Sequence, residues 1–107
     1  GDNIMATFGS AQDCESTYVN TETSTVQTGR TRVYGVYLDS GSAAGDFHLR
    51  DGSSTGTIKF KCKTPANAEG ITITFPAPIL CKDGVYVNFT TEHVVAATVF
   101  HSGGNNN

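Results

Sequence analysis

From Arg30 to His101, apolar residues recur at every second position in run after run. Nowhere does a 3.6-residue apolar period persist long enough for a helix. A period of two places alternate side chains on opposite faces of a pleated strand, so the pattern commits the chain to β-structure. Ile58, Phe60 and Cys62 alternate with Lys59, Lys61 and Lys63; Ile71, Ile73 and Phe75 alternate with Thr72 and Thr74; Val85, Val87 and Phe89 alternate with Tyr86 and Asn88. Asp46 to Arg50 reads as a strand with Phe47 and Leu49 inward and His48 and Arg50 outward. Thr31 to Leu38 and His93 to His101 are apolar on both faces, so both are expected to be central in a sheet or covered by a partner.

Turn signals separate these runs. Asp51-Gly52 and Lys82-Asp83-Gly84 are tight-turn sequences, and residues 39–45 and 64–70 are longer loops. Pro76 and Pro78 cannot donate a ladder hydrogen bond, so pairing must break around them before the short run Ile79-Leu80-Cys81. Six to eight strands at about ten-residue spacing predict an all-β fold, a β-sandwich or a small barrel. The expected architecture is a single antiparallel β-sandwich, jelly-roll or Ig-like, with an extended N-terminal arm. Residues 1–29 are polar and Thr-rich and read as that arm, with short strands near 15–20 and 23–28. The alternative is an edge strand of the same domain. Residues 30–101 form the sandwich and 102–107 a polar tail.

The 107 residues make one domain, with little margin of burial for folding alone. Charged residues are only 16% of the chain and the net charge is -3. The pI is near 5.4, so no electrostatic footprint for nucleic acid is present. Weak self-repulsion suits a surface that sits against another surface. No apolar run approaches the roughly 18 residues that span a bilayer, and no signal-peptide pattern is visible, so no membrane partner is expected.

Catalytic and metal-binding readings find little support. Cys14, Cys62 and Cys81 do not make a disulfide framework, and they fit a cytosolic origin. Cys62 and Cys81 can pair on neighbouring strands or remain buried free thiols. His93 and His101, eight residues apart along a strand, stand about 27 Å from each other, so surface histidines are the expectation for all three. The acids fall mostly in turns and arm, where they serve local backbone bonds. Lys59, Lys61 and Lys63 make a basic stripe that either docks an acidic partner or guards an exposed strand. Asn88-Phe89-Thr90 matches a glycosylation sequon inside a strand, by chance on this reading. The chain is therefore not expected to be an enzyme, and no catalytic, cofactor-binding or metal-ligating residue and no cofactor is assigned. The tyrosines and phenylalanines mostly alternate inward, which counts against a sugar-binding platform.

Several segments resemble a known family. They are Gly29 to Leu38, the Ser-Gly-Ser-Ala-Ala-Gly loop at 40–45, Phe47 to Gly56, Thr-Pro-Ala at 64–66, Ile71 to Pro78, Lys82 to Val87 and Thr-Val-Phe at 98–100. Together they resemble the small β-sandwich virion proteins of tailed bacteriophages, particularly marine and aquatic ones, over about two thirds of the chain. The resemblance implies a virion structural protein made in the host bacterial cytoplasm, foremost a capsid decoration (cement) protein binding the head shell in many copies. Its implied partners are the major capsid protein or other virion proteins and further copies of itself in a homo-oligomer, such as a trimer. The alternative it leaves open is a receptor- or glycan-binding module of a tail fibre or another tail component. The matching positions are turn and core residues, so they transfer no functional residues.

Overall fold

The structure, a computed structural model, describes residues 14–103. They form eight antiparallel strands and, among the described residues, no helix. The strands are β1 (Glu15–Val19), β2 (Thr23–Thr28), β3 (Thr31–Ser40), β4 (Gly45–Asp51), β5 (Ile58–Thr64), β6 (Ile71–Cys81), β7 (Gly84–Phe89) and β8 (Val94–Gly103). Sheet A has the order β1-β8-β3-β6 and sheet B the order β2-β7-β4-β5.

That order settles which sandwich this is. β1 pairs with β8, β2 with β7, β3 with β6 and β4 with β5, each antiparallel. The chain is thus one long hairpin, β1–β4 against β5–β8, rolled into two facing sheets. This is the eight-stranded jelly roll, not the seven- or nine-strand arrangement of an Ig domain.

The short strands expected near 15–20 and 23–28 are present and the edge-strand alternative holds, so the arm boundary needs correction. β1 and β2 occupy the edges of sheets A and B, so the sandwich starts at Glu15 rather than at Arg30. Val19 and Val26 from this polar stretch are buried in the core. The two strands are short and each buries a single apolar residue, which leaves their alternation weak. The tail boundary shifts too, since Ser102 and Gly103 pair with Arg32 and Thr31 as the end of β8. The remaining parts of the expected arm and tail, 1–13 and 104–107, lie outside the described residues.

The two strands read as apolar on both faces, β3 and β8, are the two central strands of sheet A. The expected proline interruption is also present. Val33 pairs with Ile79 and Gly35 with Thr74, so four residues of β6 (75–78) stand against Tyr34 alone. Between the sheets lie Val33, Val36, Leu38 and Val99 from sheet A and Phe47, Leu49, Val85 and Val87 from sheet B, all fully buried. Phe47 stacks on Phe89 with centroids 6.1 Å apart. Phe60 meets Phe75 edge-on at 4.9 Å and closes the β5/β6 side.

Backbone bonds gather the loops at both ends. Gly41 N donates to His93 O, Ala43 N to Glu92 O and Asn67 N to Gly41 O, which ties three loops together at one end. At the other end the Asp51 carboxylate accepts from the N–H groups of Lys82 and Asp83 at 3.1 and 2.8 Å. The fold therefore leaves two broad surfaces for function, the outer faces of sheets A and B.

Candidate functional site

Register assigns the outer face of sheet A. Tyr18 stands beside Thr98, Thr98 beside Tyr37 and Tyr37 beside Thr72, forming one row across four strands. The next row is Ser16, Phe100, Gly35 and Thr74. Tyr18 is 63% exposed and Tyr37 36%, a large aromatic area left to solvent. Tyr34 also points outward, and its hydroxyl shares a 2.8 Å hydrogen bond with Ser102. Gly35 makes a notch in this face, because a Cβ there would lie 2.5 Å from Ile73 O. Tyr34, Phe100, Thr72, Ile73 and Thr74 wall the notch into a groove of about 290 Å³.

The expectation that the aromatics mostly point inward is corrected here. Tyr86 lies on the outer face of sheet B, opposite Arg50. All four tyrosines thus face outward, while Phe47, Phe60, Phe75 and Phe89 belong to the core or its margin. The bulge between Val33 and Gly35 shifts the phase of β3, so Val33 and Val36 both face in and Tyr34 and Tyr37 both face out. Counting alternation straight through that bulge hides the result.

The outer face of sheet B is polar and holds a pocket of about 430 Å³ near the loop end. Asn88 and His48 are neighbours on its floor. Glu22 comes from the β1–β2 turn, Asp46 and Lys63 from paired positions on β4 and β5, and Thr90 and His93 from the β7–β8 loop. Each wall is held from behind. Glu22 Oε2 accepts from Thr91 N at 2.9 Å and from Thr91 Oγ1 at 3.2 Å. The buried Thr64 hydroxyl lies 3.3 Å from Gly45 O and 3.1 Å from His93 O, joining β4, β5 and the loop. His93 packs against Gly45 so closely that a Cβ there would sit 1.9 Å from the imidazole.

A chain of hydrogen bonds orients His48. Arg50 donates through Nη1 to Gly56 O at 2.9 Å and through Nε to Asn88 Oδ1 at 3.3 Å. A guanidinium only donates, so the Asn88 atom facing it is the carbonyl oxygen. Asn88 Nδ2 then donates to His48 Nδ1 at 3.4 Å. That nitrogen must be the acceptor, which leaves the proton on Nε2. Burial, then the Arg50 charge, hold the His48 imidazole below its ordinary value, against the opposing pull of Asp46. The shift favours the neutral ring.

The other candidates fall into place around these faces. His48 and His93 line one pocket, a pairing that linear spacing does not reveal. His101 is not on the surface as expected. It is 1% exposed, opposite Val33, with Nε2 in a 2.9 Å hydrogen bond to Thr17 Oγ1. Counting back in twos through Val99 and Ala97 places it on the inner face, so the signal was present. Among the described residues no group of three or more His, Cys, Asp or Glu side chains is placed to hold a metal ion. Cys14 is exposed, Cys62 half-buried and Cys81 buried, and all three are free thiols. Burial pushes the Cys81 thiol up to about 11, which suppresses the thiolate. Lys59, Lys61 and Lys63 lie on β5, an edge of sheet B. Asn88 of the sequon is half-buried and bonded on both sides. No helix among the described residues is long and apolar enough to cross a membrane.

No family model, no curated protein and no solved structure matches this chain.

Proposed function

We propose that this chain is a structural protein of a tailed-phage virion, a decoration protein that docks on the head shell in many copies through the outer face of sheet A. The observation that carries the reading is the row Tyr18-Thr98-Tyr37-Thr72 beside the Gly35 groove. Tyrosine offers a large apolar body with a polar tip and is enriched where proteins meet. The resemblance of the chain to small β-sandwich virion proteins supplies the setting. A protein that binds only the assembled shell stabilises it by mass action. Copies arranged as a symmetric oligomer, such as a trimer, present several tyrosine rows at once and gain avidity from that repetition.

The test is quantitative mass spectrometry of purified particles, scaled to the major capsid protein. Copy numbers comparable to the capsid subunit support head decoration. Numbers far below it favour the second reading, a receptor- or glycan-binding module on a tail component. Absence from the particle overturns both. Tyr18→Ala with Tyr37→Ala is expected to cut incorporation at least tenfold. Both rings sit on the solvent face, so the melting transition should remain. Truncating an interface anchor typically costs about 2 kcal/mol or more.

The second reading has an observation of its own. The pocket on sheet B is lined by side chains that make hydrogen bonds, among them Glu22, His48 and Asn88.

A further inference from the structure

We infer that the pocket on the outer face of sheet B is a binding site for an uncharged sugar ring, which donates hydrogen bonds to Glu22 and Asp46 and exchanges others with His48, Lys63 and Asn88. The inference deepens the second, glycan-binding reading by naming its site; it rests on residues of sheet B and the loop end alone, so it stands or falls separately from docking through sheet A.

Size and chemistry select the ligand. About 430 Å³ lies within the roughly 300–1,000 Å³ range of small-molecule sites and accommodates one or two sugar rings. Two carboxylates and one ammonium, from Glu22, Asp46 and Lys63, give the walls a net formal charge of -1, which disfavours phosphate and sulfate. The absence of a three-residue ligating group among the described residues disfavours a metal ion. The lining mixes polar side chains with apolar surface around Phe89 and Ala44, so a fitting ligand carries polar groups beside an apolar face. What remains is a neutral molecule dense in groups that both donate and accept. A sugar hydroxyl does both, and this pocket supplies both roles. The carboxylates accept, the Lys63 ammonium donates, and neutral His48 carries its proton on Nε2 as a donor.

Preorganisation separates this pocket from an ordinary polar depression. Asn88 is clamped by Arg50, His48 is fixed in one tautomer by Asn88, Glu22 is anchored by Thr91, and His93 is seated on Gly45. Side chains already held in place lose little rotamer entropy when a ligand arrives, so weak hydrogen bonds to hydroxyls yield net affinity.

The experiment is a ¹⁵N-detected titration of the full chain, with D-glucose, D-galactose, D-mannose and N-acetyl-D-glucosamine added separately to roughly 50 mM, well above a millimolar dissociation constant. Sodium phosphate and calcium chloride serve as controls. The expected result is saturable shifts at Asp46, His48, Asn88 and His93 with at least one sugar and neither control. Asn88→Ala should weaken that binding roughly tenfold, and Tyr37→Ala on the opposite face should leave it unchanged. His48→Ala provides the same test if the Asn88 variant does not fold. Silence with all four sugars overturns the inference. So does a response to phosphate alone, or shifts centred on Tyr18 and Tyr37. Sugar binding by a chain absent from virions would keep this inference and remove the decoration reading.

Discussion

His101 is the residue where packing and charge meet most directly. It is buried between β1 and β3, and its Nδ1 lies 3.7 Å from Glu15 Oε1, beyond hydrogen-bond distance. Burial lowers its pKa below the ordinary 6.5, with Glu15 pulling the other way. A lowered histidine pKa means that the unfolded chain binds the proton more tightly. Its contribution to stability is therefore fully present above pH 6.5 and is lost as pH falls through the folded-state value. His48 shifts in the same direction and adds to the slope. Urea midpoints measured at pH 7.5 and pH 5 should fall for the natural chain. His101→Gln, which keeps a hydrogen-bonding group for Thr17, should lose the larger part of that fall. An unchanged slope in the variant would assign the pH dependence elsewhere.

At the scale of elements, the four sheet edges are blunted in four different ways. β1 is only five residues long, β2 carries a bulge between Thr25 and Gln27, β6 holds Pro76 and Pro78, and β5 holds Lys59, Lys61 and Lys63. Each is a known means of refusing a further strand. The lysine stripe is thus accounted for by its position on an edge, with Lys61 opposite His48 and Lys63 opposite Asp46. Replacing Lys61 and Lys63 with Thr should change the unfolding free energy by no more than about 0.5 kcal/mol, as is usual for exposed positions. It should raise aggregation, read by light scattering at high concentration. A variant that aggregates no more than the natural chain would move the lysines from edge protection to partner binding.

For the whole molecule, the rolled hairpin makes the first and last strands partners, since β1 lies against β8 and β2 against β7. Removing residues 1–28 therefore takes one edge strand from each sheet, strips Val19 and Val26 from the core and uncovers the Thr17 side of His101. Burying a valine contributes roughly 1.5–3 kcal/mol, and a domain of this size has only about 5–15 kcal/mol in total. A chain beginning at Gly29 should lose its cooperative thermal transition by circular dichroism. A sharp transition in that chain would restore residues 30–101 as the self-sufficient domain. The same topology divides the surface, giving sheet A an aromatic outer face and sheet B a polar one.

The sequence by itself determined the all-β class, the strands from β3 to β8, the turn at Asp51-Gly52 and the break in pairing at Pro76 and Pro78. Side-chain alternation, turn chemistry and the missing proline donor are local, so each is legible without knowing the partner strand. Only the tertiary structure decided that the sandwich is a jelly roll, because strand order depends on which distant strands pair. It also took the tertiary structure to make β1 and β2 part of the domain, since an edge strand shows a weak pattern until its neighbour is known. The bulge at Gly35, which turns Tyr34 and Tyr37 to the same face, is a property of two paired strands. The meeting of Glu22, His48, Asn88 and His93 in one pocket depends on three segments far apart in the chain. Local chemistry writes the strands; the long-range pairing of the rolled hairpin places their side chains.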